Sequence, residues 1–159
     1  EVLGVNMLGT LNTVLPVVNK LIGKKRYIQD QKISICIVSS VSFSISKLAL
    51  YPITKRAAMD YALFLRKTLE GNPYVNVMTV LPGWVGTNMS DSWRGVKPAI
   101  VTPDVAADQI REAIESGEGL VATSGLSVYF AGRILDSLPY WLYEPISKIS
   151  PPYAHNGRF

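Results

Sequence analysis

The chain has 159 residues, 48% apolar and 18% charged, and sixteen basic against twelve acidic side chains leave a net charge of +4. That length supports one domain with a sizeable core, and the apolar content excludes a disordered segment. The charge is too small and too scattered for a nucleic-acid footprint, and no run approaches the roughly eighteen apolar residues of a spanning helix.

Leu3, Met7, Leu8, Leu11, Leu15, Val18 and Leu21 recur at helical spacing, which predicts a first helix ending near Gly23, kinked at Pro16. Lys24, Lys25 and Arg26 then form the one tight basic run, read as a solvated helix end where cations suit the dipole. A polar loop to Gln31 leads into the apolar run Ile33 to Val38, a strand expected to be buried on both faces, as in a parallel sheet. Cys36 lies in this run, and a single cysteine excludes an internal disulfide framework and fits a reducing compartment, with the cytoplasm as the expected location. With no basic neighbour in sequence, Cys36 reads as a core residue rather than a nucleophile. Ser39 to Ser46 is a serine-rich connection.

The next helix is predicted from about Leu50 to Leu69, with Pro52 in its first turn and Gly71 closing it. Val75 to Leu81 is a second apolar strand, ended by Pro82-Gly83. Residues 88–101 read as irregular, with Met89 and Trp93 as apolar points. Thr102 caps a further helix that has Pro103 at its first position and Asp104 in its first turn. Gly117 and Gly119 flank the turn into a third strand, Leu120 to Thr123. An aromatic tail, residues 125–159, follows with a helix between Val128 and Leu138, and reads as substrate-side or interface structure, for instance between copies in a homo-oligomer. A surface-lying membrane helix through Leu135, Leu138, Trp141 and Leu142 is the less favoured reading. His155 is the only histidine and has no second soft ligand nearby, so no metal site is expected.

Strands alternating with long helices predict an α/β fold with parallel pairing and right-handed crossovers. No repeat or linker divides residues 1–159, and the expected architecture is one doubly wound sheet of three strands with flanking helices. Ligands in such sheets sit at the carboxyl ends of the strands, where Ser39–Ser40 and Pro82–Thr87 fall.

The chemistry centres on Tyr51 and Lys55. Four residues apart at a helix start, both project from one face. An ammonium beside a phenol favours the phenolate and lowers the phenol's pKa, making it a usable proton donor and acceptor near neutrality. A lone Tyr-x-x-x-Lys is weak, but here it follows a strand ending in Ser-Ser, and the next strand ends in Pro-Gly-Trp-Val-Gly-Thr.

As a set, these pieces resemble the C-terminal portion of a short-chain dehydrogenase/reductase of the single-domain, Rossmann-like type. Asn6-Met7-Leu8-Gly9 is similar to the family's Asn-x-x-Gly, and Ile37-Val38-Ser39-Ser40 to the strand end bearing its active-site serine. Tyr51 to Lys55 matches the tyrosine–lysine pair, and Pro82 to Thr87 the loop beside the nicotinamide. The resemblance implies NAD or NADP as cofactor, with NADP favoured by likeness to carbonyl reductases, and a small alcohol or carbonyl substrate. It implies Tyr51 as general acid/base, Lys55 on the nicotinamide ribose, Ser40 on the substrate oxygen, and Asn6 behind Lys55 on a water-linked proton path. Val85 (through its backbone) and Thr87 would fix the nicotinamide carboxamide, and Pro82 and Gly83 would bind the cofactor as part of the loop beside the nicotinamide.

Departures from the pattern are Thr54 for serine, Pro52 after the tyrosine, Arg56 after the lysine, and a span of eleven positions from Ser40 to Tyr51 that makes Ser42 a weaker rival for the serine role. The glycine-rich turn that seats a pyrophosphate on a helix N-terminus is not in this sequence. Together with Glu1 lying inside a helical pattern, this leads to the expectation of a partial chain whose parent is an NAD(P)-dependent oxidoreductase. The alternative is a non-enzymatic fragment that binds a protein partner through an open sheet edge.

Overall fold

Three strands, Ile33–Val38 (β1), Val75–Leu81 (β2) and Leu120–Ala122 (β3), form one parallel sheet in the order β1-β2-β3. The computed structural model describes residues 1–23, 32–45, 50–91, 97, 99–124 and 126–149. The expected loop and basic run at residues 24–31, Ser46, Trp93 and His155 lie outside the described residues, as does the side chain of Tyr143. In β1–β2 the register runs from Ile33 opposite Val75 to Val38 opposite Val80, and in β2–β3 from Thr79 opposite Leu120 to Leu81 opposite Ala122.

Side chains alternate across the sheet as the period of two demands. Ile35, Ile37 and Val77 pack on one face against Val18 and Leu21 of the first helix and Ala58, Ala62 and Leu65 of the second. Met78 and Val80 pack on the other with Ala113, and Cys36 and Ile110 lie against them. Thr10–Gly23 (α1) and Leu50–Thr68 (α2) therefore cover one face and Pro103–Ser116 (α4) the other. The result is a Rossmann-like α/β arrangement with helices on both faces, as the strand–helix alternation predicts.

Helix ends follow local chemistry. The Thr102 hydroxyl accepts from the Val105 N–H at 3.3 Å with Pro103 in the first turn, and Gly117 closes α4 at φ 74°. Gly71 follows α2 at φ 89°, a left-handed conformation that costs glycine least.

Several expectations change. The first helix is not uniform: Gly4–Gly9 is π-helical before α1 begins, and the Thr10 hydroxyl donates to the Asn6 carbonyl at 2.8 Å. β1 is not buried on both faces, because Ser34 and Val38 are exposed on a strand at the sheet's edge, whereas central β2 is buried over its last five residues. Part of 88–101 is regular, where an irregular stretch is expected. Asn88–Asp91 (α3) is a short helix, and Val85 bridges Val101 in parallel. The tail holds two helices, Leu126–Ser137 (α5) and Tyr140–Ile149 (α6). Pro139 and an interior Pro145 hid α6 from a reading of propensity, since proline normally ends a helix. Within the tail, Tyr129 packs on the core while Phe130, Tyr140 and Trp141 are exposed. Among the described residues no helix is long and apolar enough to cross a membrane, and no group of three or more His, Cys, Asp or Glu is placed to hold a metal.

Candidate active site

The carboxyl end of β1 passes into Ser39, Ser40 and a 3-10 turn, Val41–Ile45, and that of β2 into Pro82–Thr87. Backbone bonds lock the two exits together: Ser39 N–H donates to Val80 O at 2.8 Å and Val41 N–H to Pro82 O at 3.0 Å. Ser39 faces inward, and its hydroxyl donates to the Lys55 carbonyl at 2.6 Å, fixing the first turns of α2 against the strand end. Phe43, fully buried, seats the 3-10 turn on Met59 and Leu81.

Ser40 lies close enough to Tyr51 for its hydroxyl to act on the phenol. Ser40 also donates to the Pro82 carbonyl at 3.4 Å, and it accepts from the Ser42 N–H at 3.2 Å and the Ser42 hydroxyl at 2.9 Å. The Lys55 Nζ lies 5.7 Å from the Tyr51 ring centroid and donates to the Val38 carbonyl at 3.2 Å.

The electrostatics differ from the sequence expectation. Burial pushes the Tyr51 phenol above its ordinary value, and the Ser40 hydrogen bond pulls it back only in part. Burial also lowers the Lys55 ammonium. Desolvation outweighs the attraction expected from the ammonium because Lys55 is held by the strand's last carbonyl rather than at the phenol oxygen.

Asn6 is brought in from the π-helical stretch. Its Nδ2 donates to Thr54 Oγ1 at 3.1 Å, and Thr54, fully buried, donates to the Tyr51 carbonyl at 2.7 Å. Asn6 thus reaches the backbone of the tyrosine rather than the lysine head. It also lines an apolar cavity of about 130 Å³ with Met7, Thr10, Ala58 and Tyr61. The larger groove, about 430 Å³ between Arg66 and Val77, is at the amino end of β2. It lies about 20 Å along the strand from Pro82 at the usual rise, so it is not part of this site.

The Pro82–Thr87 loop is shaped by its neighbours. A Cβ on Gly83 would fall inside the Ser124 side chain, so only glycine allows β3's exit to pack there. The bridge to Val101 is made by the neighbours of Val85: Val101 N–H donates to Trp84 O and Gly86 N–H to Val101 O, both at 2.9 Å. The amide of Val85 itself takes no part in that bridge. Thr87 N–H donates to Ser90 Oγ at 3.0 Å, while the exposed Thr87 hydroxyl makes only a long 3.4 Å contact with Val85 O.

Ser40, Tyr51 and Lys55 therefore share one crevice with the Pro82 carbonyl, and Val85 and Thr87 lie further along the same loop. Sequence reasoning missed Ser90, Ser124 and the bridging role of Thr54, and named Ser42 only as a weaker rival to Ser40. Ser42 carried a signal in its i+2 spacing from Ser40, the usual reach of a serine-type turn. Met89 is exposed and lines neither cavity.

No protein-family model matches the chain. No curated protein matches it. Its fold is similar to the crystal structure of a short chain dehydrogenase from Burkholderia cenocepacia J2315 in complex with NADP, with a TM-score of 0.62 and 25% sequence identity. The match covers 91% of this chain and 57% of that one, so the chain spans little more than half of the dehydrogenase it superposes on. At the level of the fold, the chain is like an NADP-bound short-chain dehydrogenase.

Proposed function

We propose that the chain carries the proton-transfer side of an NADP(H)-dependent alcohol/carbonyl oxidoreductase, with Tyr51 as the general acid/base. The observation that carries this reading is the Lys55 Nζ beside the Tyr51 ring, 5.7 Å from its centroid, with Ser40 acting on the same phenol. A phenol and a hydroxyl close to each other can receive a carbonyl oxygen between them. The Tyr51 O–H donates to the oxygen as it gains charge, and Ser40 supplies a second donor. In the reverse direction Tyr51 takes the alcohol proton, which requires its phenolate. Lys55, held at Val38 O beside the Tyr51 ring, would supply positive charge near that phenolate and bind sugar hydroxyls.

The residues present fit the nicotinamide end of a dinucleotide. The Val85 amide lies outside the bridge and the Thr87 hydroxyl is weakly engaged, and together they make a donor and acceptor set suited to a carboxamide. Pro82 and Gly83 would form the wall beside it. When bound, the cofactor supplies the hydride. The sequence contains no glycine-rich turn to seat the pyrophosphate, so the fit extends to that end alone. The homo-oligomer and the small-molecule substrate belong to this reading.

The test is Tyr51→Phe in the protein as it occurs, assayed with NADPH and a panel of ketones and aldehydes. Turnover is expected to fall at least about a hundredfold, the usual weight of a general acid, while NADPH affinity stays within about threefold. A Tyr51→Phe protein as active as the wild type would remove Tyr51 from the role.

A further inference from the structure

We infer that Ser42 is a positioning residue that obliges Ser40 to act as a hydrogen-bond donor, by filling both acceptor positions of the Ser40 hydroxyl. This rests on the reading of Ser40 as the donor to the substrate oxygen. A hydroxyl oxygen has two lone pairs and one proton. The Ser42 N–H, which can only donate, points at Ser40 Oγ at 3.2 Å, and the Ser42 hydroxyl at 2.9 Å. The Pro82 carbonyl, which can only accept, lies 3.4 Å from the same oxygen and takes the remaining proton. With that proton committed outward, the bond between the two serines has one direction.

Two consequences follow for chemistry. The contact to Pro82 is at the long end for an O–H···O bond, so Ser40 gives up little when its proton swings to an oxygen held closer by Tyr51. And Ser40 has no free lone pair with which to accept the Tyr51 O–H, so it can serve Tyr51 only as a donor, which favours the ionised phenol. Ser42 is itself buried, and its 3-10 turn is pinned by Phe43, so the arrangement is held in place before any substrate arrives. Among the described residues, Lys55 on α2 is the charged group beside Tyr51, and Arg56, 5.9 Å over the Phe43 ring, is paired with Asp60 and Asp136. A change at Ser42 leaves all four in place.

The experiment follows the Tyr51 titration by NMR with ring-labelled tyrosine, Tyr51→Phe identifying the resonance. Ser42→Ala opens one lone pair on Ser40, so the Tyr51 midpoint is expected to move to higher pH. Ser40→Ala and the double variant Ser40→Ala/Ser42→Ala are expected to titrate alike. A midpoint unmoved by Ser42→Ala, or one that moves equally in the Ser40→Ala background, overturns the inference. This readout needs neither cofactor nor turnover, so a wild-type protein that neither binds NADPH nor reduces a carbonyl would defeat the proposed function while the titration still judged Ser42. Where the wild type is active, Ser42→Ala is expected to lower kcat about tenfold with little change in the KM for NADPH, less than the loss of a direct oxyanion donor.

Discussion

Arg56 joins α2 to α5 by donating from Nη1 to Asp136 at 3.2 Å, while its Nε holds Asp60 one turn along its own helix at 3.1 Å. In the sequence, Arg56 stood out as a large residue directly after Lys55 where a small one is usual. In the fold it is a tie that holds α5 down over the 3-10 turn, and its guanidinium also lies over the Phe43 ring. Because Phe43 in turn packs on Tyr129 at 5.8 Å, one side chain connects the turn carrying Ser42 to two helices.

Arg56→Ala is therefore expected to destabilise the protein by about 1 kcal/mol, at the upper end for a partly exposed pair. Asp136→Asn should give a similar loss. Chemical denaturation of the two single variants and the double variant reads the coupling between them. Additive losses would show that the 3.2 Å contact contributes nothing, and would leave Arg56 as a packing residue only.

Gly83 and Ser124 form a steric pair. Gly83→Ala places a methyl group inside the Ser124 side chain, and overpacking of this kind costs roughly 1–3 kcal/mol. Ser124→Gly should cost less by itself and should recover most of the loss when combined with Gly83→Ala. Thermal unfolding of the four proteins decides it. If Ser124→Gly brings no recovery, the clash lies elsewhere in the Pro82–Thr87 loop.

The titration of Tyr51 gives a prediction on the alkaline side. Burial raises its folded pKa above the unfolded value, which is about 10, so the neutral phenol favours the folded state. That contribution is complete below the unfolded value and is lost as pH rises through the folded one. Tyr51→Phe cannot ionise, and its stability relative to wild type should therefore improve progressively above about pH 10. Lys55 behaves in the opposite sense, because burial lowers its pKa: its contribution is present above the unfolded value and lost as pH falls through the folded one. Lys55→Met should then gain stability over wild type at neutral pH and little at strongly alkaline pH. Parallel curves for Tyr51→Phe and wild type across the alkaline range would falsify the assignment of a raised phenol.

What the sequence determined by itself was set by short-range rules. Apolar runs of six and seven residues between polar breaks located β1 and β2, and a threonine–proline start with a glycine stop located α4, because caps and strand ends depend on neighbours a few positions away. The spacing of Tyr51 and Lys55 placed them on one helical face, and the observed contact follows from that. Tertiary structure alone decided the rest. Nothing local shows that Asn6 reaches Thr54 forty-eight positions away. The direction of the Tyr51 shift was also hidden, because spacing reveals a neighbouring charge but not the burial that outweighs it. The exposure of Val38 at the edge of the sheet was hidden for the same reason: a residue's solvation is fixed by which strand lies beside it, and that is a property of the assembled fold.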